Sequence, residues 1–459
     1  MNDNYYLKIG GNELIRDEEI VNLASDDPSL KKKAETNVST RLKETRVRVG
    51  TLLKTDNVSF LIGAGASMAS GGVGLASIPV DLEKQLHRAY EESNSGKNKS
   101  PEWLSLFYRT ISILTREDFR FEDRPTALKN DQAKAITINL EEYLTRLQTW
   151  RAAVTDSTSQ LTLVLDSGTL VLNKIHVDQL ILELDRALTS LCDLPLPETI
   201  EPLKHHRRFI KKTLTRPLNL RRANLFTLNY DTLLEQAADA EGAVLVDGFV
   251  GTLRRVFRPE SYDLDFYFPA QTTEGRVHRF DRALHLYKLH GSITWHRTTE
   301  DWQNPYGLFA TFFDETRADD DVLIYPTPLK YGQTLGLPYS ELFRRFSSSI
   351  AQPQSVLFTI GYGFGDDHVN SLIRQALAIP SFTLVIVDPA PSSQFVKKLK
   401  DANDERVWIV GGWELGTFEN FVDKLLPDLR EEEITANVMK TYGSLQSVPT
   451  NPRNENGES

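Results

Sequence analysis

Eight short apolar runs with little alternation, several of them separated by helical stretches, constrain this fold more than any other feature of the chain. They cover residues 57–62, 223–227, 243–246, 284–289, 322–325, 355–360, 383–387 and 406–410. A strand buried on one face alternates apolar and polar residues. A strand covered on both faces reads as nearly continuous Leu, Ile and Val. Stretches such as 231–240 and 367–378 have the pattern of the connecting helices. The expectation is an α/β protein with a Rossmann-like, doubly wound, mainly parallel sheet and right-handed crossovers.

Four polar motifs follow or end four of these runs: Gly63-Ala64-Gly65-Ala66-Ser67, Thr227-Leu228-Asn229-Tyr230-Asp231, Lys288-Leu289-His290-Gly291-Ser292, and the stretch from Gly361-Tyr362-Gly363-Phe364-Gly365 to Asn370. Doubly wound folds bind ligands at the carboxyl ends of strands, so four such motifs can converge on one crevice. The first suits a loop whose backbone N–H groups face a diphosphate, with Gly63, Ala64, Gly65 and Ser67 small enough for close approach. Met68 stands where a third glycine would complete the usual dinucleotide fingerprint, which argues against an ordinary dehydrogenase. In the second motif Asp231 reads as a helix cap, which leaves the Asn229 amide to hold a water or a ribose hydroxyl. Thr227 precedes them. His290, at a strand end before a glycine, can take a proton from a hydroxyl near neutral pH. Gly361, Gly363 and Phe364 are read as lining a ribose or phosphate, and Asp367 as a cap. Asp388 ends the run 383–387, where an acid either holds the adenosine ribose diol or serves as a turn residue before Pro389.

Composition sets bounds. No run of eighteen apolar residues is present, the first residues lack the layout of a secretory signal, and Cys192 is the single cysteine of this chain. A cytoplasmic protein without disulfide or cysteine-rich metal site is the expectation. The formal charge of −10 argues against chain-wide nucleic-acid binding. The basic stretch from Lys204 to Arg222 is read foremost as a solvated helix face. Along the chain, residues 1–50 read as a polar N-terminal arm, 51–442 as the catalytic domain with a helical insertion at about 91–222, and 443–459 as a disordered tail. Residues 250–282 form a shorter insertion containing Tyr262, Phe266, Tyr267 and Phe268.

In this order the motifs resemble the sirtuin superfamily. The resemblance covers residues from roughly 55 to 430. It implies that Gly63, Ala64, Gly65, Ser67, Thr227 and Asp231 form part of an NAD site, that Asn229 orients the acceptor, and that His290 is the catalytic histidine. The Tyr-Gly-Phe-Gly-Asp stretch looks like the variant of bacterial sirtuin-like proteins of antiphage defence. Two departures qualify the resemblance. Protein-deacylating sirtuins carry a four-cysteine zinc module, and they have Gly-Ile-Pro-Asp-Phe-Arg where this chain has Gly74-Leu75-Ala76-Ser77-Ile78-Pro79. The resemblance therefore implies NAD as substrate, no zinc, and an NAD glycohydrolase that depletes NAD in defence. Its relatives imply a homo-oligomer controlled by a HerA-type hexameric translocase, or alternatively by a short Argonaute. A non-catalytic NAD or ADP-ribose scaffold, and a protein deacylase or ADP-ribosyltransferase, remain alternatives.

Overall fold

The computed structural model describes residues 5–15, 25–73, 78–93, 102–117, 140–154, 160–165, 168–194, 201–268, 278–311, 321–323 and 338–434, with isolated positions between them. The segment 74–77, Asn139 and the C-terminal residues beyond 434 lie outside these.

The central sheet has nine strands: β1 (Tyr6–Ile9), β2 (Asn12–Glu13), β3 (Asn57–Ile62), β4 (Asn224–Thr227), β5 (Val244–Val246), β6 (Ala283–Lys288), β7 (Ser355–Ile360), β8 (Thr383–Val387) and β9 (Val407–Gly411). Their order is β2-β1-β9-β8-β7-β3-β4-β6-β5. From β9 to β5 every pairing is parallel, and β1 runs antiparallel to both β9 and β2. The fold is α/β, Rossmann-like and doubly wound. From β3 the chain builds one half of the sheet through β4, β5 and β6. It then crosses to the other side of β3 and continues through β7, β8 and β9. The strand order thus reverses between β3 and β7, and a crevice at such a reversal is where open α/β sheets bind ligands.

Burial on both faces explains the unalternating runs. Phe60 and Ile62 pack with Phe358, Ile360 and Phe209 on one face, whereas Leu61 packs with Leu357, Phe346 and Ile373 on the other. All six residues of β7 are buried. Helices α1 (Pro28–Leu53) and α6 (Lys204–Thr213) cover the first face. Helices α8 (Tyr339–Ile350), α9 (Asp367–Leu377) and α10 (Gln394–Ala402) cover the second. Asp27 caps α1 by accepting from the Ser29 N–H, with Pro28 opening the helix. Within the segment read as an N-terminal arm, β1 pairs along β9 from Tyr6 to Ile9.

Between β3 and β4 the chain forms α2 (Ile78–Ser93), α3 (Glu102–Thr115), α4 (Leu140–Ala153) and α5 (Lys174–Cys192), which share a core separate from that of the sheet. A hairpin of Gln160–Leu165 and Gly168–Asn173 joins them, an element the helical reading did not contain. Buried Arg124 is paired with Glu83 there, and the Tyr108 hydroxyl donates to the same carboxylate.

Two expectations are corrected. At the run 322–325, read as a strand of the parallel sheet, the described strand is Asp321–Leu323, which pairs antiparallel with Gly291–Arg297 in a second, five-stranded sheet with Leu308–Ala310, Arg255–Phe257 and Phe249–Val250. Apart from Gly291–Arg297, these strands have two or three residues, too few for periodicity to signal. The basic stretch is not simply a solvated face. Arg207 binds Glu241, Arg208 binds Asp423, Lys212 donates to the carbonyls of Val422 and Leu426, and Arg216 is buried against carbonyls at Leu53 and Thr55. Its cations tie α6 and the loop after it to neighbouring elements. Among the described residues no helix is long and apolar enough to cross a membrane.

Candidate active site at the strand carboxyl ends

The four motifs leave the carboxyl ends of β7, β3, β4 and β6, which are consecutive neighbours in the sheet. The centre of the arrangement is a relay of side chains between the ends of β3 and β4. The Asn229 Nδ2 donates to the Gly63 carbonyl at 3.1 Å and to the Ser67 Oγ at 2.9 Å. Ser67, itself buried, donates onward to the Asp231 Oδ2 at 2.7 Å. The other Asp231 oxygen accepts from the Leu233 N–H at the start of α7 (Leu233–Ala240), but the N-cap position expected of Asp231 is held by Thr232. Thr227 braces the turn: its Oγ1 donates to the Ile62 carbonyl and accepts from the Asn229 N–H.

This network sets the chemistry of Asn229. A carbonyl can only accept, so the Gly63 oxygen decides which end of the amide is nitrogen. Both Nδ2 protons are used within the protein. Among the described residues the Oδ1 has no hydrogen-bond partner, so it is the atom able to hold a water or hydroxyl.

His290 is buried at the end of β6, with its Nε2 3.1 Å from the Asp366 Oδ2. The rings of Tyr230 and Phe343 lie 6.5 and 6.3 Å from the imidazole. The second Asp366 oxygen accepts from the N–H groups of His368 and Val369 and caps α9. Asp366 is therefore the cap, and Asp367, read as the cap from sequence, is the first residue of the helix. A carboxylate so held fixes the ring and favours the tautomer with its proton on Nε2. Sequence reasoning missed this pairing. The signal was there: two adjacent acids precede one helix, and one cap suffices.

A second missed feature lies beneath the β4 turn. Buried Lys288 donates to the carbonyls of Tyr230 and Asp231 and binds Glu235 at 2.9 Å. Burial raises the Glu235 pKa, against the opposing pull of Lys288. The lysine thus clamps the backbone on either side of the Tyr230–Asp231 peptide.

The glycine loop departs from its expected role. The N–H groups of Gly63, Gly65, Ala66 and Ser67 all donate to backbone carbonyls, those of Ile360, Gly361, Gly63 and Ala64 respectively. In this arrangement those four amides are not available to a diphosphate. The glycines are needed for another reason. A Cβ on Gly63 would lie 2.6 Å from the Gly361 oxygen, and one on Gly65 2.8 Å from the Gly361 Cα. Gly361 has φ +63°, and its Cβ would meet the Ala66 nitrogen at 2.5 Å. The three glycines let the β3 and β7 loops cross in backbone contact. Phe364, read as lining the ligand, is instead buried at φ +56° with its ring stacked on Phe395. Gly363 and Gly365 alternate with it on the exposed side, and a Cβ added to either would meet nothing within 4 Å. They leave open the space that a ligand would enter. Asp388 ends β8 beside this loop; its Oδ1 accepts from the Ala390 N–H, as a turn residue does. Burial raises its pKa.

With this geometry in place, comparison with known proteins identifies the region. Residues 223–408 match the SIR2-like domain family. The matched span of this SIR2-like region runs from β4 to the start of β9 and contains Asn229, Asp231, His290, Asp366 and Asp388. The Gly63 loop, which Asn229 touches, precedes it. SIR2-like domains use NAD. A search of curated proteins finds no match. Among the described residues no group of three His, Cys, Asp or Glu side chains is placed to hold a metal.

His206, on α6 below the site, yields a prediction about pH. Burial pushes its pKa down to about 4, with Asp231 opposing the shift, and burial likewise pushes His285 on β6 down to about 4. In the unfolded chain both titrate near 6.5. The folded state therefore holds them neutral, and the unfolded state binds more protons below pH 6.5. Stability is expected to be fully present above that value and to fall by about 1 kcal/mol per pH unit per histidine toward pH 4. Urea unfolding at pH 7.5 and 5.5 checks this; equal midpoints would refute it.

Proposed function

We propose that this protein is an NAD glycohydrolase that cleaves NAD to nicotinamide and ADP-ribose and acts in antiphage defence by depleting NAD. One observation carries the reading: an asparagine whose oxygen is left as an acceptor and a histidine backed by a carboxylate stand at neighbouring strand ends of a SIR2-like region. In this chemistry the bond from nicotinamide to ribose stretches into an oxocarbenium-like state. Asn229 holds the attacking water through Oδ1. His290 takes the proton from water or a ribose hydroxyl at Nδ1, and Asp366 stabilises the imidazolium that forms. Ser67 and Asp231 position Asn229. Gly363 and Gly365 leave room for the dinucleotide, and the free oxygen of Asp388 suits a ribose diol. Water as the acceptor is favoured over an acyl-lysine because the single cysteine of this chain cannot build the four-cysteine module of deacylating sirtuins.

The enzyme must be silent in a healthy cell, so its activity is set by assembly into a homo-oligomer with a partner, for which a HerA-type translocase is preferred. Purified protein, alone and with its partner, should release nicotinamide and ADP-ribose from NAD when the products are separated by chromatography. No nicotinamide in any assembly state would rule the enzyme reading out. Light scattering of the isolated chain tests the oligomer, and a monomer at micromolar concentration would contradict it.

A further inference from the structure

A cavity of about 600 Å³ opens at the amino ends of β3, β4 and β6. Asn57, Asn224 and His285 line it, so it sits at the end of the sheet opposite Asn229 and His290. A six-residue strand rising about 3.3 Å per residue separates the two ends by roughly 15–20 Å. The volume lies in the range of small-molecule sites, about 300–1,000 Å³.

The walls are unbalanced in charge. Arg221, Arg222, Arg279, Arg344 and Arg345 line the cavity against only two aspartates, Asp263 and Asp265. Asp265 is shared by Arg222 and Arg279, and Asp263 takes both terminal nitrogens of Arg345. Those three arginines are held by structure. The other two keep unused donors. Arg221 makes one long bond, 3.3 Å, to the Asn57 Oδ1. Arg344 gives Nε and one terminal nitrogen to Glu341 and remains 60% exposed. A guanidinium has five N–H donors, so both keep donors for a ligand; with Glu341 also bonded to Arg344 and Arg345, the five arginines meet three carboxylates, and an anion would offset the remaining surplus.

His285 adds a second requirement. Its Nε2 is buried and has no hydrogen-bond partner among the described residues. The other ring nitrogen donates to the Leu264 backbone, and the ring is neutral at pH 7 because of its burial and the nearby Arg222. Nε2 is therefore an acceptor waiting for a donor, and a buried acceptor left unmet has given up its bond to water without a replacement. An O–H or N–H on a molecule in the cavity would meet it.

We propose that this cavity is a second binding site, for a small phosphorylated ligand that also carries a hydroxyl. Arg221 and Arg344 bind the phosphate, and the His285 Nε2 accepts from the hydroxyl. The site stands independently of the NAD reading, since none of its residues belongs to the cluster around Asn229 and His290. Calorimetric titration of the full chain with ribose 5-phosphate and with inorganic phosphate tests it. Ribose 5-phosphate should bind more tightly than phosphate. The double variant Arg221→Ala, Arg344→Ala should weaken both by about tenfold or more, as expected for loss of charge-assisted bonds. His285→Asn should weaken ribose 5-phosphate and leave inorganic phosphate unchanged. The two arginines are at the surface, so their variant is expected to melt as the parent does. Binding of neither probe at millimolar concentration, or binding that the arginine variant leaves intact, overturns the proposal. Equal loss of both probes in His285→Asn, with an unaltered melting curve, overturns the role of the histidine.

Discussion

His290→Ala and Asn229→Ala should each lower NAD cleavage by about a hundredfold or more while leaving the fold in place. The two side chains act at different points, and the expected losses differ in kind. In the proposed mechanism His290 is the base, and its Nε2 is engaged by Asp366. Removing the imidazole takes away the proton acceptor and leaves Asp366 without one partner, although its cap bonds to His368 and Val369 remain. Asp366→Asn keeps the cap through its amide oxygen but removes the negative charge behind the ring. It should lower the rate less than His290→Ala and displace the acidic pH limb of turnover, where a general base becomes protonated. Asn229→Ala removes two donated bonds, to Gly63 and Ser67, together with the acceptor for water. Asn229→Asp is the sharper substitution. It keeps an acceptor for water but can no longer donate to the Gly63 carbonyl. A rate within about threefold of the parent in either alanine variant, with an unaltered melting curve, would mean that the residue has no part in the chemistry.

The central sheet was legible because a strand buried on both faces leaves a local trace, a run of apolar residues needing no distant partner to recognise. Seven of the eight runs lie in that sheet, and the motifs at their ends could be placed in one crevice from chain order alone. What was not legible depended on partners remote in sequence. The second sheet is made of pieces such as Phe249–Val250 and Arg255–Phe257, whose pairing with Leu308–Ala310 leaves no periodic signal. The basic stretch at 204–222 looked solvated because its acceptors, Asp423 and the carbonyls of Val422 and Leu426, lie some two hundred residues away. Asp366 was visible as one of two adjacent acids, but its bond to His290 spans 76 residues. The glycines are the most instructive case. A glycine required by a ligand and a glycine required by another loop look the same in sequence, because each is a place where no Cβ fits.

That difference predicts opposite behaviour for two glycines two residues apart. Gly361→Ala should destabilise the protein strongly, by about 3 kcal/mol or more. The left-handed backbone at φ +63° costs a residue with a side chain about 1–2 kcal/mol. The new Cβ would also lie 2.5 Å from the Ala66 nitrogen and 2.7 Å from the Gly65 carbonyl carbon, both backbone atoms that cannot swing aside. Relief requires the β3 and β7 loops to part, which breaks the Gly65 N–H bond to the Gly361 carbonyl and shifts the Gly63 carbonyl that orients Asn229. Stability and activity should fall together. Gly363→Leu should do the reverse. Its position is exposed, its φ lies outside the left-handed region and nothing lies within 4 Å of the added carbon, so urea unfolding should move by less than about 1 kcal/mol. If the dinucleotide occupies that space, the leucine stands in its way, and the KM for NAD should rise about tenfold or more while the protein stays folded. A Gly361→Ala variant as stable as the parent would refute the crossing of the two loops. An unchanged KM in a folded Gly363→Leu variant would move the dinucleotide to another face of the crevice.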